Sequence, residues 1–170
     1  MRRLLSDSRI RAIEAVERAR PSREALEALT MQAMRMCEAP RSQLTLVTGD
    51  RQFTLAISGS DVDGHAFTEG FATPLSDSIC RFVIETEGPL SITDTQELPI
   101  ICDMNCVTSD GIRAYLGHPI SSWDNEPLGS LCVIDYEPRA WDRRDRMMLA
   151  SLAASANVIL LQAVLALEDD

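Results

Sequence analysis

Near the amino end, apolar side chains recur every three or four positions, which is the spacing of one face of a helix. The pattern covers residues 4–20 and again residues 23–37, among arginine and glutamate residues that suit an exposed face. Pro21 separates the two runs and ends the first helix. Ser22 provides a capping side chain for the second. Two amino-terminal helices are therefore predicted.

The middle of the chain has short apolar runs separated by turn residues, a pattern typical of β-strands. The predicted strands lie at residues 44–47, 53–57, 90–92, 111–120 and 128–135. The glycine-rich segment 58–74 indicates a loop or a short edge strand. A helix is predicted from Ser76 to about Thr86, because Gly88 and Pro89 then follow as a helix-ending signal.

Two longer segments complete the pattern. Residues 94–110 are polar and irregular, and a loop of that length inside a domain is usually functional or disordered. Residues 142–167 are predicted to form a last helix, whose apolar surface is wider than packing on its own sheet requires. In chain order, these elements predict an α+β domain with an antiparallel sheet.

Composition and charge exclude several classes of function. All 16 basic residues are arginine, so a lysine nucleophile, a pyridoxal phosphate Schiff base and a Walker A phosphate loop are ruled out. The net charge is −10 and the acidic body has no basic stripe, which argues against nucleic-acid binding. No nucleic-acid partner is therefore expected.

Cysteine usage and hydropathy bear on localisation. The sequence shows neither the apolar core of a signal peptide nor a continuous apolar run long enough to span a bilayer. Its five cysteines are an odd number without the spacing of a disulfide framework. We therefore expect a cytoplasmic protein with free thiols and no membrane partner.

Five sequence blocks stand out between about residues 22 and 165. They are Glu38-Ala39-Pro40; Asp50-Arg51-Gln52-Phe53; Ser78 to Thr86 with Gly88-Pro89-Leu90 and Asp94; Val107 to Ile120; and Leu128 to Asp135 with Pro138-Arg139. Their residues, order and spacing resemble the GAF domain family. The lysine-containing signature of the cyclic-nucleotide branch and the Asp-Ile-Pro motif of the bilin branches are missing. The chain therefore resembles a generic GAF domain.

The resemblance implies a GAF- or PAS-like six-stranded antiparallel sheet with helices on both faces and a bundle formed by the N- and C-terminal helices. It divides the chain into a connector or dimerisation helix at residues 1–21 and a GAF domain, with its long carboxyl-terminal helix, at residues 22–170. Family members sense small molecules or light, are usually attached to kinases, cyclases or phosphatases, and are often dimeric through their terminal helices.

We therefore expect a sensory or regulatory module without enzymatic activity. A small molecule would bind under the loop at residues 94–110, and a homodimer would signal through its terminal helices to a separate protein such as a kinase or a cyclase. No cofactor is firmly implied. A degenerate dimerisation scaffold is one alternative, and it predicts a small, closed, apolar cavity.

The resemblance places the pocket between the sheet and about residues 76–118. In the predicted strand, alternation puts Arg113 and Tyr115 on one side, opposite Ile112, Ala114 and Leu116. An arginine and a tyrosine beside a pocket would bind a carboxylate or phosphate and stack on a ring. The candidate ligand-binding residues are Arg113, Tyr115, Asp94, Asp103, Cys80 and Phe82.

Each candidate also has a structural interpretation. Arg113 would pair with Asp94 or Asp103 and fix the loop. Cys80 and Phe82 would pack in the core.

The cysteines suggest an alternative function. One GAF branch reduces free methionine-(R)-sulfoxide by thiol attack and disulfide resolution, and Cys80 and Cys102 resemble cysteines of that branch. Asp103 would protonate the sulfoxide oxygen, and Cys106 would resolve the intermediate. The branch's further cysteine has no counterpart here, since its position falls near Gly70. Buried or incidental thiols are the competing interpretation.

Two sets of residues suggest a metal site, and each set lacks some of the ligands that such a site needs. Cys102, Cys106 and His118 would supply three ligands, without a second cysteine pair. Asp61 and Asp63 resemble part of a calcium-binding loop that lacks its later glutamate. No metal site is predicted.

Overall fold

A computed structural model describes residues 3–68 and 70–169 of the chain. Its strands are β1 (Arg41–Val47), β2 (Arg51–Gly59), β3 (Ala72–Pro74), β4 (Leu90–Ile92), β5 (Ala114–Ser121) and β6 (Pro127–Asp135). They form one antiparallel six-stranded sheet in the order β3-β2-β1-β6-β5-β4. The predicted α+β fold is confirmed, and the glycine-rich segment supplies the short edge strand β3.

Helices cover both faces of the sheet. They are α1 (Asp7–Ala19), α2 (Arg23–Met36), α3 (Cys80–Thr86), α4 (Asn105–Thr108) and α5 (Arg143–Glu168). On one face α1, α2 and α5 form a layer, where Leu26, Leu46 and Leu149 are buried in the main apolar core. On the other face α3 and α4 enclose a second core that contains Val83 and Tyr115.

Strand β1 begins three residues earlier than the apolar pattern predicts. Arg41, Ser42 and Gln43 belong to it, and every residue of the strand is buried. The strand lies in the middle of the sheet, between β2 and β6. Its polar first half escaped the prediction because a run of polar residues after Pro40 is typical of a turn.

Two predicted boundaries on the α3 side of the sheet are wrong. Helix α3 begins at Cys80 instead of Ser76, because a 3-10 turn at Leu75–Asp77 comes first. Strand β5 begins at Ala114, so strand alternation does not yet apply at Ile112, which is buried in the same core as Tyr115. The predicted opposition of these two side chains is therefore wrong.

The segment at residues 94–110 is more ordered than its composition suggests. It holds a 3-10 turn at Thr95–Glu97 and the helix α4. Asp94 caps the turn by accepting a hydrogen bond from the N–H of Gln96 at 3.0 Å. The segment is thus a folded cover on the sheet.

A fully buried arginine joins α1 to the sheet. Arg9 donates from Nε to the carbonyl of Pro127 at 2.6 Å and from Nη1 to that of Leu4 at 3.0 Å. Its Nη2 donates to the carbonyls of Val47 and Leu128. One side chain therefore contacts the end of β1 and the start of β6 from the first turn of α1.

Helix α5 is long and apolar enough, by length and composition, to span a membrane. One of its faces nevertheless packs in the main core through Leu149, Leu152 and Leu160, as a core helix of a globular domain does. Its outer face carries residues spaced alternately four and three apart, as in a coiled coil. We call these the outer stripe of α5: Met147, Ser151, Ala154, Val158, Leu161 and Leu165.

Candidate ligand-binding site

A small polar cavity lies between the sheet and the α3–α4 cover. Its volume is about 30 Å³, close to the volume that one water molecule occupies in the liquid. Gln43, Gln52 and Tyr115 line it from the sheet, and Cys80 and Cys106 line it from the cover. We call it the inner cavity. Its polar lining differs from the apolar one expected of a degenerate scaffold.

A larger open cleft of about 550 Å³ lies next to the inner cavity. Five residues line both: Arg41, Phe71, Thr73, Asp77 and Asp110. The inner cavity therefore lies at the base of this cleft, which we call the outer cleft. Its volume is within the range of sites that bind small molecules.

Arg41 is the cation at the junction of the two spaces. It is only 5% exposed, and its Nη2 donates to Oε1 of Gln43 at 2.8 Å. The guanidinium carbon lies 4.7 Å from the ring centre of Phe67 and 5.8 Å from that of Phe71. Its buried Nε has no hydrogen-bond partner among the described residues. Of the carboxylates that the structure describes, none forms an ion pair with Arg41.

Asp77 and Asp110 bring negative charge to the same junction. Oδ1 of Asp77 accepts a hydrogen bond from the N–H of Cys106 at 2.8 Å. Partial burial of its carboxyl group raises the pKa of Asp110, the charge of Arg41 lowers it, and the charge of Asp77 raises it. Burial and these two carboxylates raise the pKa of the Cys106 thiol to about 12. The junction therefore holds one guanidinium and two carboxyl groups.

A hydrogen-bonded group forms the floor of the inner cavity. The hydroxyl of Tyr115 donates to Sγ of Cys80 at 3.2 Å and lies 3.1 Å from Oγ of Ser130. Burial raises the pKa of Tyr115 and that of the neighbouring Cys132. The pKa of Cys80 is lowered, chiefly by its hydrogen bond with Cys132. The polar groups of this cavity floor are thus already hydrogen-bonded to one another.

The residues predicted for the pocket divide into two groups. Cys80 and Tyr115 line the inner cavity. Arg113 lies outside it and pairs with Asp94 through Nε at 3.0 Å and Nη2 at 2.9 Å. This bidentate pair is the loop-fixing arrangement that the sequence offered as an alternative, and it holds the pKa of Asp94 below its usual value.

Asp103, Phe82 and Cys102 also lie away from the lining of both spaces. Asp103 is exposed, and Phe82 is half-buried against the second core beneath the guanidinium of Arg81. The thiol of Cys102 donates to the carbonyl of Pro99 at 3.6 Å. Cys102 therefore does not share the inner cavity with Cys80 and Cys106, which line it.

Only one convergence of three metal-ligating side chains occurs within residues 3–68 and 70–169, and it joins Asp61, Asp63 and His65 at the surface. Oδ1 of Asp61 already accepts hydrogen bonds from the N–H groups of the other two residues. The side chain of Asp61 is thus part of a local turn. The suggested set of Cys102, Cys106 and His118 does not converge.

Sequence reasoning missed Arg41, Gln43, Asp77 and Asp110. The signal for the first two was present as alternation, since Arg41, Gln43 and Thr45 are on the opposite side of β1 from the core residues Leu44 and Leu46. Polar residues at every second position of a central strand indicate a polar cavity on that side. Asp77 and Asp110 gave no such signal, because they meet only through the fold.

The chain belongs to the GAF domain family, whose model matches residues 21–160. GAF domains are sensory and regulatory modules. A cyclic di-GMP phosphodiesterase from Pseudomonas aeruginosa is 31% identical over 132 residues, which cover 76% of this chain and 21% of that protein. The chain thus spans about a fifth of the length of this curated relative.

Solved structures share the fold at low sequence identity. The blue-light absorbing form of the PixJ GAF domain from Thermosynechococcus elongatus has a TM-score of 0.69 at 17% identity, with 97% of this chain and 94% of that one covered. A GAF domain from Acinetobacter phosphoenolpyruvate-protein phosphotransferase gives 0.65 at 13%, over 98% and 100%. A type II free methionine-R-sulfoxide reductase from Thermoplasma acidophilum gives 0.63 at 15%, over 86% and 94%.

Proposed function

We propose that the chain is a sensory module that binds a small polar molecule at the junction of the inner cavity and the outer cleft. The observation that carries this proposal is Arg41, a buried cation whose Nε has no partner among the described residues. A buried unsatisfied donor on a charged group costs stability. A ligand that accepts its hydrogen bond would recover that cost. The cover includes α4, so the proposed ligand lies partly under the segment expected from the sequence.

The size of the two spaces limits how the ligand is held. The inner cavity has room for one water-sized group, whereas the outer cleft has room for a molecule. A polar end of the ligand would therefore reach Arg41, and its body would lie against Phe67 and Phe71.

The proposed output is a homodimer formed through the outer stripe of α5. Met147 and Val158 are more than half exposed there, and a coiled-coil stripe of this kind pairs with a second copy. A separate signalling protein such as a kinase or a cyclase would receive the output in the cytoplasm. The phosphodiesterase relative supports an enzyme as the receiving partner, because its similar segment belongs to an enzyme chain.

A thiol reductase is the competing function, and the position of Cys102 argues against it. The candidate nucleophile does not line the inner cavity, where its proposed partners Cys80 and Cys106 lie. We therefore propose that the chain is not an enzyme. With dithiothreitol as reductant, the sensory proposal expects no turnover of free methionine-(R)-sulfoxide, whereas the reductase requires turnover that Cys102→Ser abolishes.

Native mass spectrometry of protein purified from cells tests the sensory proposal. The wild-type chain should carry an excess mass that disappears on denaturation, and Arg41→Gln should carry less of it. Arg11→Gln is the matched control, because Arg11 is exposed on α1. A bare wild-type protein that no small molecule stabilises in a broad thermal-shift screen would contradict the proposal.

A further inference from the structure

We propose that the ligand is an amino-carboxylate, a small molecule with a carboxylate for Arg41 and an ammonium group for Asp77 and Asp110. This inference rests on the proposed binding function and names its ligand class. It depends on the arrangement of one guanidinium and two carboxyl groups around the junction of the two spaces.

The carboxylate end follows from the geometry of Arg41. A guanidinium binds a carboxylate through two parallel hydrogen bonds, one of them from Nε in the side-on arrangement. Nε of Arg41 is buried and has no partner among the described residues, while Nη2 already donates to Gln43. The guanidinium also lies near the rings of Phe67 and Phe71, and Arg41 lines both the inner cavity and the outer cleft.

The ammonium end follows from the two carboxyl groups. Asp77 uses Oδ1 for the N–H of Cys106, which fixes its side chain toward the junction. Asp110 lines the same junction as Asp77, and the charge of Asp77 raises its pKa while the charge of Arg41 lowers it. An ammonium group between the two would remove that repulsion and would donate to both.

Ligands with a single charge fit the junction less well. A simple anion on Arg41 would lie beside Asp77 and Asp110 and would be repelled by both. A simple cation would leave Nε of Arg41 unsatisfied and would face its positive charge. A ligand with both charges satisfies all three side chains, and its apolar portion would contact the aromatic side chains of the outer cleft.

Isothermal titration calorimetry with the full chain at neutral pH tests the ligand class. Each standard L-amino acid is screened, and every one that binds is compared with the analogue that lacks its ammonium group and the analogue that lacks its carboxylate. For phenylalanine these analogues are 3-phenylpropanoate and 2-phenylethylamine. At least one amino acid should bind at least about tenfold more tightly than either analogue.

Two variants test which side chain binds the ammonium end of the ligand and which binds its carboxylate end. Asp110→Asn should weaken amino-acid binding at least about tenfold and leave binding of the ammonium-free analogue unchanged or stronger. Arg41→Gln should weaken binding of the amino acid and leave binding of the carboxylate-free analogue unchanged or stronger. The controls are Asp124→Asn and Arg11→Gln, which alter exposed residues away from the cleft. Asp110 is itself exposed, so its variant tests the proposal even where Arg41→Gln fails to fold.

The outcomes separate this inference from the proposed function. If no amino acid binds, or if the ammonium-free analogue binds as tightly, the amino-carboxylate class is wrong. An excess mass in the native spectrum that does not belong to an amino acid would then still support a sensory module. If the wild-type protein is bare and binds nothing in the broad screen, both proposals fail.

Discussion

Arg9, Arg41 and Arg113 differ in what their guanidinium groups bind. Arg9 donates to main-chain carbonyls, and Arg113 pairs with Asp94. Arg41 stacks near two aromatic rings and keeps a buried Nε without a partner among the described residues. These differences in partners decide which of the three guanidinium groups is available to a ligand.

Thiol reactivity should distinguish Cys102 from the other cysteines. Cys102 is partly exposed and the other four are buried. Burial raises the pKa of Cys37 to about 11 and, together with nearby carboxylates, that of Cys106 to about 12. At mildly alkaline pH, we expect one thiol per chain to react rapidly with Ellman's reagent, because Cys102 is accessible to the reagent, whereas Cys80 is buried although its pKa is lowered.

The variant Cys102→Ser should remove this rapid phase, and Cys37→Ser is the matched control that should keep it. Rapid labelling of a second thiol in the wild-type protein would contradict the packing described for the cavity floor.

Acid stability should depend on the pair formed by Arg113 and Asp94. The hydrogen bonds from Arg113 hold the pKa of Asp94 below its usual value of 3.8. The stabilisation is therefore present above the unfolded pKa and is lost as the pH falls through the folded pKa. We expect urea unfolding to show a smaller loss of stability below pH 4 in Asp94→Asn than in the wild-type protein. Asp103→Asn, which changes an exposed carboxylate, should behave as the wild type does.

Of the arginine and the tyrosine that the sequence placed together, Tyr115 lines the inner cavity and Arg113 lies outside it. Arg113 is close to Tyr115 in the chain, and the expected alternation would have put both beside the ligand. The position of Asp94 depends on the pairing of β4 with β5, in which Ile92 lies opposite Tyr115. That register is a tertiary property. Arg41 could have been identified by alternation, had β1 been extended to its polar first half.

Among the elements, α5 is the one for whose outer face we propose a partner. The outer stripe combines apolar residues with small ones over most of the helix. Its width was visible in the sequence, since too many positions of this helix are apolar for one packed face. The length of α3 was not visible in the sequence, because the 3-10 turn before it has the composition of a helix start.

Substitution within the outer stripe should separate the proposed dimer. Val158→Glu places a carboxylate on a residue that is 53% exposed in the single chain, and burying that charge at an apolar interface is costly. We expect sedimentation equilibrium to give a dimer dissociation constant at least about tenfold higher. Met31→Glu, an apolar-to-acidic change on the exposed face of α2, should leave the dimer intact. A monomeric wild-type protein would refute the dimer.

For the whole molecule, the question is whether α1 belongs to the folded domain or lies outside its boundary. The family match begins at residue 21, and the sequence assigns residues 1–21 to a connector or dimerisation helix. In the structure, Ile13 and Val16 of α1 are buried in the main core, and Arg9 is bonded to the sheet. The fold of the sheet could be predicted from the five blocks and the helix α1 from its apolar spacing, whereas no sequence pattern indicated that Arg9 is buried and bonded to the sheet.

Removal of residues 1–20 should therefore destabilise the domain. We expect the free energy of unfolding in urea to fall by at least about 3 kcal/mol, because buried apolar side chains are lost and main-chain carbonyls lose their donor. Arg11→Leu in the full chain is the control, since Arg11 is exposed. Equal stability of the shortened and full chains would show that α1 is a separable connector.

The bonds of Arg9 also govern how the molecule opens. Its guanidinium contacts the carbonyls of Val47 and Leu128, at the ends of two central strands whose other side chains line the inner cavity. If α1 opened alone, these hydrogen bonds would be lost, which makes separate opening of the helix unfavourable. The helix and the two strands should therefore open as a single cooperative unit. Amide hydrogens in the middle of α1 would then exchange with solvent as slowly as those of the central strands.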